Sequence, residues 1–378
     1  MPDAAPPSPR PRRRRWPVLL GAFALIGLAL AWWVDRQLEP TRLSATVLDR
    51  AGKSLQLRFA FTGTPEYALK PEPRLLLPGL SVAGPDGAPF LTAKRAEISL
   101  PWATITGGEP VITRLQLEQP VVRIAVLQRW LASRPATPFR LPTLTRGLQL
   151  HDATLVGDGF VVDRLTLELP HLRAGEAADL VAKGRYTQGA TRFDASMHLH
   201  LDTPGLVSAY RLGLAGVLQR QPKPLAFKFD SRGRFASTDA LLSVDADTLA
   251  LSGDSPLPRI GGKATLRSTK ELRLAFDGVL HDWPAVWPAL PEPLRSQTTN
   301  LPVRVAYAGR KDFTDAMTLH VDKPPTTLEA SLRLPELRQW LSATEASPLP
   351  PITGILRTPV LVFEGATLEG VEARVRAQ

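Results

Sequence analysis

Apolar and polar residues alternate with a period of two along most of this chain, and that rhythm predicts strands. In Ser54–Phe61 (SLQLRFAF), Leu55, Leu57, Phe59 and Phe61 share one face while Gln56, Arg58 and Ala60 take the other. Within Val111–Ile124, Leu115, Leu117, Val122 and Ile124 alternate with charged or polar neighbours. Leu165/Leu167/Leu169, Met197/Leu199/Leu201, Leu249/Leu251, Leu272/Leu274/Phe276, Val303/Val305/Tyr307, Met317/Leu319/Val321 and Val371/Ala373/Val375 continue it. Helical spacing is confined to Val126–Ser133, Asp282–Leu290 (around Trp283 and Trp287) and Pro335–Ala343 (around Leu337, Trp340 and Leu341). The pattern predicts a mainly β fold, an extended, curved, antiparallel-rich sheet with a few short helices.

A sheet of more than a dozen such strands has one greasy face to hide. It can stack on a second sheet, close on itself, or curl into a groove that holds an apolar ligand. The short helical segments are too few to cover it. The strand faces bearing Leu55, Leu57, Phe59, Leu115, Leu117, Leu165, Leu167, Leu199, Leu274 and Phe276 are the candidates for such a groove.

One stretch breaks the period. Trp16–Val34 is apolar for about 19 residues, roughly 28 Å as a helix, close to the about 30 Å of a bilayer core. Arg10 and Arg12–Arg15 precede it, and Trp16, Trp32 and Trp33 stand at its two ends, where interfacial tryptophans belong. The dense positive charge before the span predicts a cytoplasmic N-terminus and a translocated remainder. Ala29-Leu30-Ala31 resembles a signal-peptide cleavage site, but the apolar run continues past it into Trp32, Trp33 and Val34, which favours an uncleaved anchor. The predicted layout is a disordered basic tail (1–15), a transmembrane signal-anchor (16–34), an N-terminal β region (35–134), a Pro-rich linker, and a C-terminal β region (143–378).

Composition then narrows the function. The formal net charge of +10 invites a nucleic-acid reading, but five arginines against Asp3 put four of those charges before the span. The other six are spread without any run of four basic residues, so no nucleic-acid partner is expected. Cysteine is absent, which excludes disulfides, thiolate metal sites and cysteine nucleophiles. The only asparagine, Asn300, is not in a glycosylation sequon. Arginine far outnumbers lysine, a bias of GC-rich bacterial genomes, which makes the exported compartment a periplasm and the membrane the inner one. The 37 prolines, with only 27 glycines and 44% hydrophobic residues, suit many short strands joined by turns rather than a disordered chain.

Candidate chemistry is sparse. His198-x-His200 sets two imidazoles on one strand face with Asp194 and Asp202 nearby, but two ligands do not make a zinc site. Asp245-x-Asp247 lacks the glycine turn and terminal Glu of a calcium loop. Gly261-Gly262-Lys263 fails the spacing of a phosphate loop, and no G-x-S-x-G elbow occurs. No catalytic residue, metal site or cofactor is expected, and the chain reads as non-enzymatic.

A faint internal repeat is also visible. Leu148-x-Leu150-x-x-Ala153-Thr154-Leu155-x-Gly157 is echoed by Leu361-x-Phe363-x-x-Ala366-Thr367-Leu368-x-Gly370, which suggests similar hairpins in one extended sheet.

Three segments carry a resemblance. The anchor with LDRAGKSLQLRFAFTG (48–63), the block LPGLSVAG…VVRI (77–124), and the closing LPPITGILRTPVLVFEGATLEGVEARV (349–375) resemble the AsmA-like family of bacterial cell-envelope proteins. Ala93–Leu100, Ile112–Ile124 and Gly354–Val375 stand where that family carries its words, so the likeness covers about 43–124 and 349–375 plus the anchor. The resemblance implies a periplasmic β-rich groove held at the inner membrane, with phospholipid as its partner and a role in lipid movement or outer-membrane homeostasis. A chain of this length fits a short chute or carrier better than a bridge. The alternative is a periplasmic scaffold or regulator of an envelope complex that carries no lipid.

Overall fold

A computed structural model of the chain describes residues 57–68, 72–99, 101, 113–133, 143–219, 223–238, 241–282, 300–342, 351–363 and 366–375. The tail with Arg12, Arg13, Arg14 and Arg15, the predicted span with Trp16, Trp32 and Trp33, and Leu55, Trp283 and Trp287 lie outside the described residues. Among the described residues no helix is long and apolar enough to cross a membrane.

Twenty strands follow one another as β1 (Arg58–Ala60), β2 (Glu66–Ala68), β3 (Arg74–Ala83), β4 (Pro89–Ser99), β5 (Arg114–Glu118), β6 (Val121–Arg123), β7 (Leu148–Val156), β8 (Val161–Leu169), β9 (Ala178–Gln188) and β10 (Thr191–Leu201), then β11 (Val207–Gln219), β12 (Leu225–Ser237), β13 (Leu242–Gly253), β14 (Arg259–Ser268), β15 (Leu272–Asp282), β16 (Leu301–Gly309), β17 (Ala316–Lys323), β18 (Thr326–Arg333), β19 (Ile352–Phe363) and β20 (Ala366–Val375). Helix α1 (Ile124–Ser133) sits between β6 and β7, and α2 (Leu334–Ser342) between β18 and β19. All twenty of these described strands belong to one large, curved sheet.

Register explains how so long a sheet forms. From β7 to β20 every strand pairs antiparallel with the next in sequence, mostly across a short turn, with longer connections from β15 to β16 and, through α2, from β18 to β19. At the other end β1 and β2 each pair with part of β3, and β5 and β6 each pair with part of β4. The parallel junction is between β5/β6 and β7, for example Leu115 with Leu148 and Val122 with Leu155. A parallel neighbour requires a crossover, and α1 supplies it. The sheet thus continues from β5 and β6 directly to β7, while residues 134–142 of the predicted linker lie outside the described residues.

Helix α1 buries Leu127, Trp130 and Leu131, an i, i+3, i+4 stripe, and packs on β4 and β6 with Trp130 stacked on Phe90 at 5.2 Å between ring centroids. It begins at Ile124, two residues earlier than the spacing predicted, so Ile124 is helical rather than the end of a strand. Helix α2 falls where the sequence placed it, with Pro335 in the first turn, where no N–H is missed.

The repeat does not survive as structure. In the first copy the residues run through a single strand, β7, with a bulge near Asp152. In the second the chain reverses, and Phe363 of β19 pairs with Ala366 of β20. The same spelling serves a bulge in one place and a hairpin in the other.

The main core gathers β1 to β9 and α1. Leu77, Val82, Phe90, Leu91, Ala96, Leu117, Val122, Leu127 and Ala153 are each at most 2% exposed, and Leu57, Leu80, Ile98, Leu115, Leu148, Leu150, Leu165 and Leu180 join them. A smaller cluster of Leu280, Leu301, Val321 and Leu356 lies near the far end of the sheet.

Candidate functional site

Cross-strand register sorts the side chains of the meander into two faces. Residues directly opposite in a ladder point the same way. From Leu180 on β9 the paired positions read Leu199, Leu212, Ser231, Leu249, Gly262, Gly278, Val303, Val321, Leu328, Leu356 and Ala373, one per strand to β20. An adjacent row runs Leu201, Tyr210, Gly233, Ala246, Ala264, Phe276, Val305, Leu319, Ala330 and Gly354. A third reads Phe235, Val244, Leu266, Leu274, Tyr307, Met317, Leu332 and Ile352. None of these positions is charged. Where hydroxyls occur they are partnered on the spot, as in Tyr210 with Ser231 at 3.0 Å.

The face changes character along its length. In β3 to β9 it is sealed; Leu57, Leu115, Leu117 and Leu165 are 2–9% exposed and offer no surface to a ligand. Phe59 and Leu167 are half-buried against that core. Met197 and Leu199 of β10 also pack against that core, and from β11 to β16 the same face is half-buried at Leu214, Phe229, Leu251, Leu266, Leu274 and Phe276. Among the described residues, contacts between elements run along the ladder itself, apart from α1 on β4 and β6 and α2 on β18. No second sheet stacks on β10 to β16 among them. Of the residues predicted to line a groove, Leu274 and Phe276 thus lie on open face, Phe59, Leu167 and Leu199 are half-buried against the main core, and Leu57, Leu115, Leu117 and Leu165 are core.

The open stretch crosses the seven strands β10 to β16, about 30 Å at standard strand spacing. It is interrupted by buried Ala246, Leu280, Leu301 and Tyr307, and beyond it Val321 and Leu356 join the smaller core.

Glycine placement bears on its shape. A Cβ on Gly262 would lie 2.5 Å from the Asp277 carbonyl oxygen, 2.6 Å from Gly278 Cα and 2.9 Å from the Phe276 ring. In an ordinary pleated pair opposite Cβ atoms stand about 4.5–5.5 Å apart, so the neighbouring backbone crowds toward this face.

The opposite face is polar and laced with ion pairs. Arg185 holds Asp194 with two bonds, 2.7 Å from Nε and 3.1 Å from Nη2. Arg267 meets Asp245 at 2.7 Å, so half of the Asp-x-Asp pair serves a salt bridge. Arg310 holds Asp315 at 3.1 Å. The hydrogen bonds from Arg185, then its charge, lower the Asp194 carboxyl below its ordinary value, and those from Arg310 do the same for Asp315.

His198 and His200 project from this face and meet at Asp179 of β9, Nε2 at 3.2 Å and Nδ1 at 2.8 Å from the same oxygen; Asp202 lies 3.2 Å from the other nitrogen of His200. The hydrogen bond from His200 is the main cause lowering the Asp179 carboxyl. Asp179 sits 19 residues before His198 and joins it only through strand pairing, so of the two acids near in sequence Asp202 reaches His200, whereas Asp194 belongs to Arg185. Among the described residues no group of three or more His, Cys, Asp or Glu side chains could hold a metal ion. Gly261-Gly262-Lys263 lies in strand β14, with no loop to cradle a phosphate.

The class that fold and face define is a long, curved β-meander with one apolar and one polar face. No protein-family model, curated protein or solved structure matches the chain.

Proposed function

We propose that this chain is an AsmA-like protein of a bacterial envelope, anchored in the inner membrane by Trp16–Val34 with its bulk in the periplasm, and that the open apolar face of β10 to β16 holds phospholipid acyl chains. The observation that carries the reading is the uncharged, half-buried face of β10 to β16, on which no second sheet stacks among the described residues. Crowding at Gly262 and Gly278 supports a sheet that bends toward this face and so a groove rather than a flat wall.

The mechanism is non-enzymatic. Each buried methylene is worth about 0.8 kcal/mol, so two acyl chains bind without any headgroup contact. Because the cross-strand rows repeat the same chemistry every about 4.8 Å, no position along the band is strongly preferred, and a chain can slide. The sealed core of β3 to β9 closes one end of the band, which leaves the β20 end and the long rims as routes in and out. Such a conduit supports outer-membrane homeostasis as a short chute or carrier.

The test is purification of the full chain in mild detergent, followed by lipid mass spectrometry. Phospholipid should co-purify, and Leu214→Glu or Leu251→Glu should deplete it while the fold persists. Lipid-free protein, or equal lipid in both variants, would sink the reading. The scaffold alternative draws on β20, which pairs only with β19 among the described residues and exposes half of Leu368. A single dominant protein crosslinked at β20, without bound lipid, favours it.

A further inference from the structure

Three neighbouring chain segments each hold one non-glycine residue in the left-handed region, and the three stand side by side. Gln119 (φ 47°) joins β5 to β6, Asp152 (φ 53°) is in β7, and Arg164 (φ 51°) is in β8. Register shifts mark the last two as bulges, one extra residue between Leu150 and Ala153 and one between Asp163 and Thr166. The Gln119 amide nitrogen donates to the His151 carbonyl at 2.8 Å, and its side-chain nitrogen to Asp152 Oδ2 at 3.1 Å. Bulges re-aim side chains, and left-handed non-glycine residues persist only where their surroundings hold them. Of the five described residues with this conformation, these three line one cavity.

The cavity, about 430 Å³, is on the polar face, and Asp163, Arg185, Thr187 and Arg192 complete much of its wall. Its charges are unevenly satisfied. Arg185 is already committed to Asp194. Arg192 has no carboxylate partner among the described residues, and Arg164 reaches only to 4.0 Å from Asp163 Oδ1. That Asp163 oxygen is itself buried and receives no hydrogen bond, a costly arrangement unless a donor arrives. The site thus offers two under-used guanidinium groups and one carboxylate oxygen lacking a donor.

We propose that these bulges build a binding site for a small soluble zwitterion: Arg164 and Arg192 take its phosphate or carboxylate, and Asp163 Oδ1 accepts from its ammonium or hydroxyl group. Guanidinium groups suit such anions because they present paired donors in a plane. The sheet separates this cavity from the apolar band, so the site is independent of acyl-chain binding and stands or falls separately from it.

The test is calorimetric titration of the full chain in detergent, at low salt, with O-phosphoethanolamine, and with inorganic phosphate and ethanolamine as half-probes. Saturable binding of O-phosphoethanolamine is expected, at least tenfold tighter than either half-probe. Arg192→Gln and Asp163→Asn should each weaken it at least tenfold, while Arg234→Gln, on the same face but outside the cavity, leaves it unchanged. Arg192 is exposed, so its variant does not threaten the fold. Absence of saturable heat, or affinity unchanged in both cavity variants, overturns the site. Phosphate binding as tightly as O-phosphoethanolamine overturns the role of Asp163 and with it the zwitterion.

Discussion

Gly262 on β14 stands directly opposite Gly278 on β15, and a Cβ added to Gly262 would come within 2.6 Å of Gly278 Cα. The backbones approach more closely than any side-chain-bearing pair permits. Gly262→Ala or Gly278→Ala is therefore expected to destabilise the sheet by about 1–3 kcal/mol, the cost of overpacking a site with no room to relax. Denaturant unfolding measures it. Wild-type stability in both variants would show that the strands separate easily and that the crowding does not shape the groove.

The sealed and open halves of the apolar face should answer truncation differently. Leu117, 2% exposed, sits inside the main core, and Leu117→Ala should cost about 2–5 kcal/mol. Leu274, half-buried on the open band, leaves no enclosed cavity on truncation, and Leu274→Ala should cost less than about 1.5 kcal/mol. Equal losses in thermal or denaturant melts would mean that the open band is packed like a core.

Acid should act through the polar face. Arg185 lowers the Asp194 carboxyl below its unfolded value of about 3.9. Stability from this pair is thus fully present above about pH 4 and lost as pH falls through the lower folded value. The pair is partly exposed and solvent-screened, so its contribution is small. Asp194→Asn should lower stability slightly at neutral pH and flatten the acid limb below about pH 4. An unchanged acid limb in melts from pH 2 to 7 would show that the pair contributes nothing.

Arg164 offers a cleaner reading of strain. A left-handed L-residue costs about 1–2 kcal/mol, while glycine adds about 0.5–1 kcal/mol of unfolded-state entropy. Arg164→Gly should thus leave stability unchanged or raise it by about 1 kcal/mol. A clear loss would mean that the side chain holds the bulge together, not that the bulge aims the side chain.

Alternation made the strand content legible before any coordinates, down to which of Leu272, Arg273 and Leu274 face together, because a strand's side-chain period is a property of its own backbone. The position of α2 was legible from its helical spacing. Asp179 beneath His198 and His200 was not, since 19 residues and a strand turn separate them. Nor were the bulges at Asp152 and Arg164, since aspartate favours the left-handed region only weakly beside glycine and arginine does not favour it. The repeated spelling at Leu148 and Leu361 misled because short apolar words fit a bulge and a hairpin equally well.

By itself, then, the sequence determined a β-rich chain with one apolar and one polar side, because that follows from residue order alone. Only the tertiary structure decided that Leu115 and Leu117 are sealed while Leu274 and Phe276 stay partly accessible. Exposure depends on what packs across a strand: α1 and the main core gather around the first nine strands, and the later ones keep only a smaller buried cluster among the described residues.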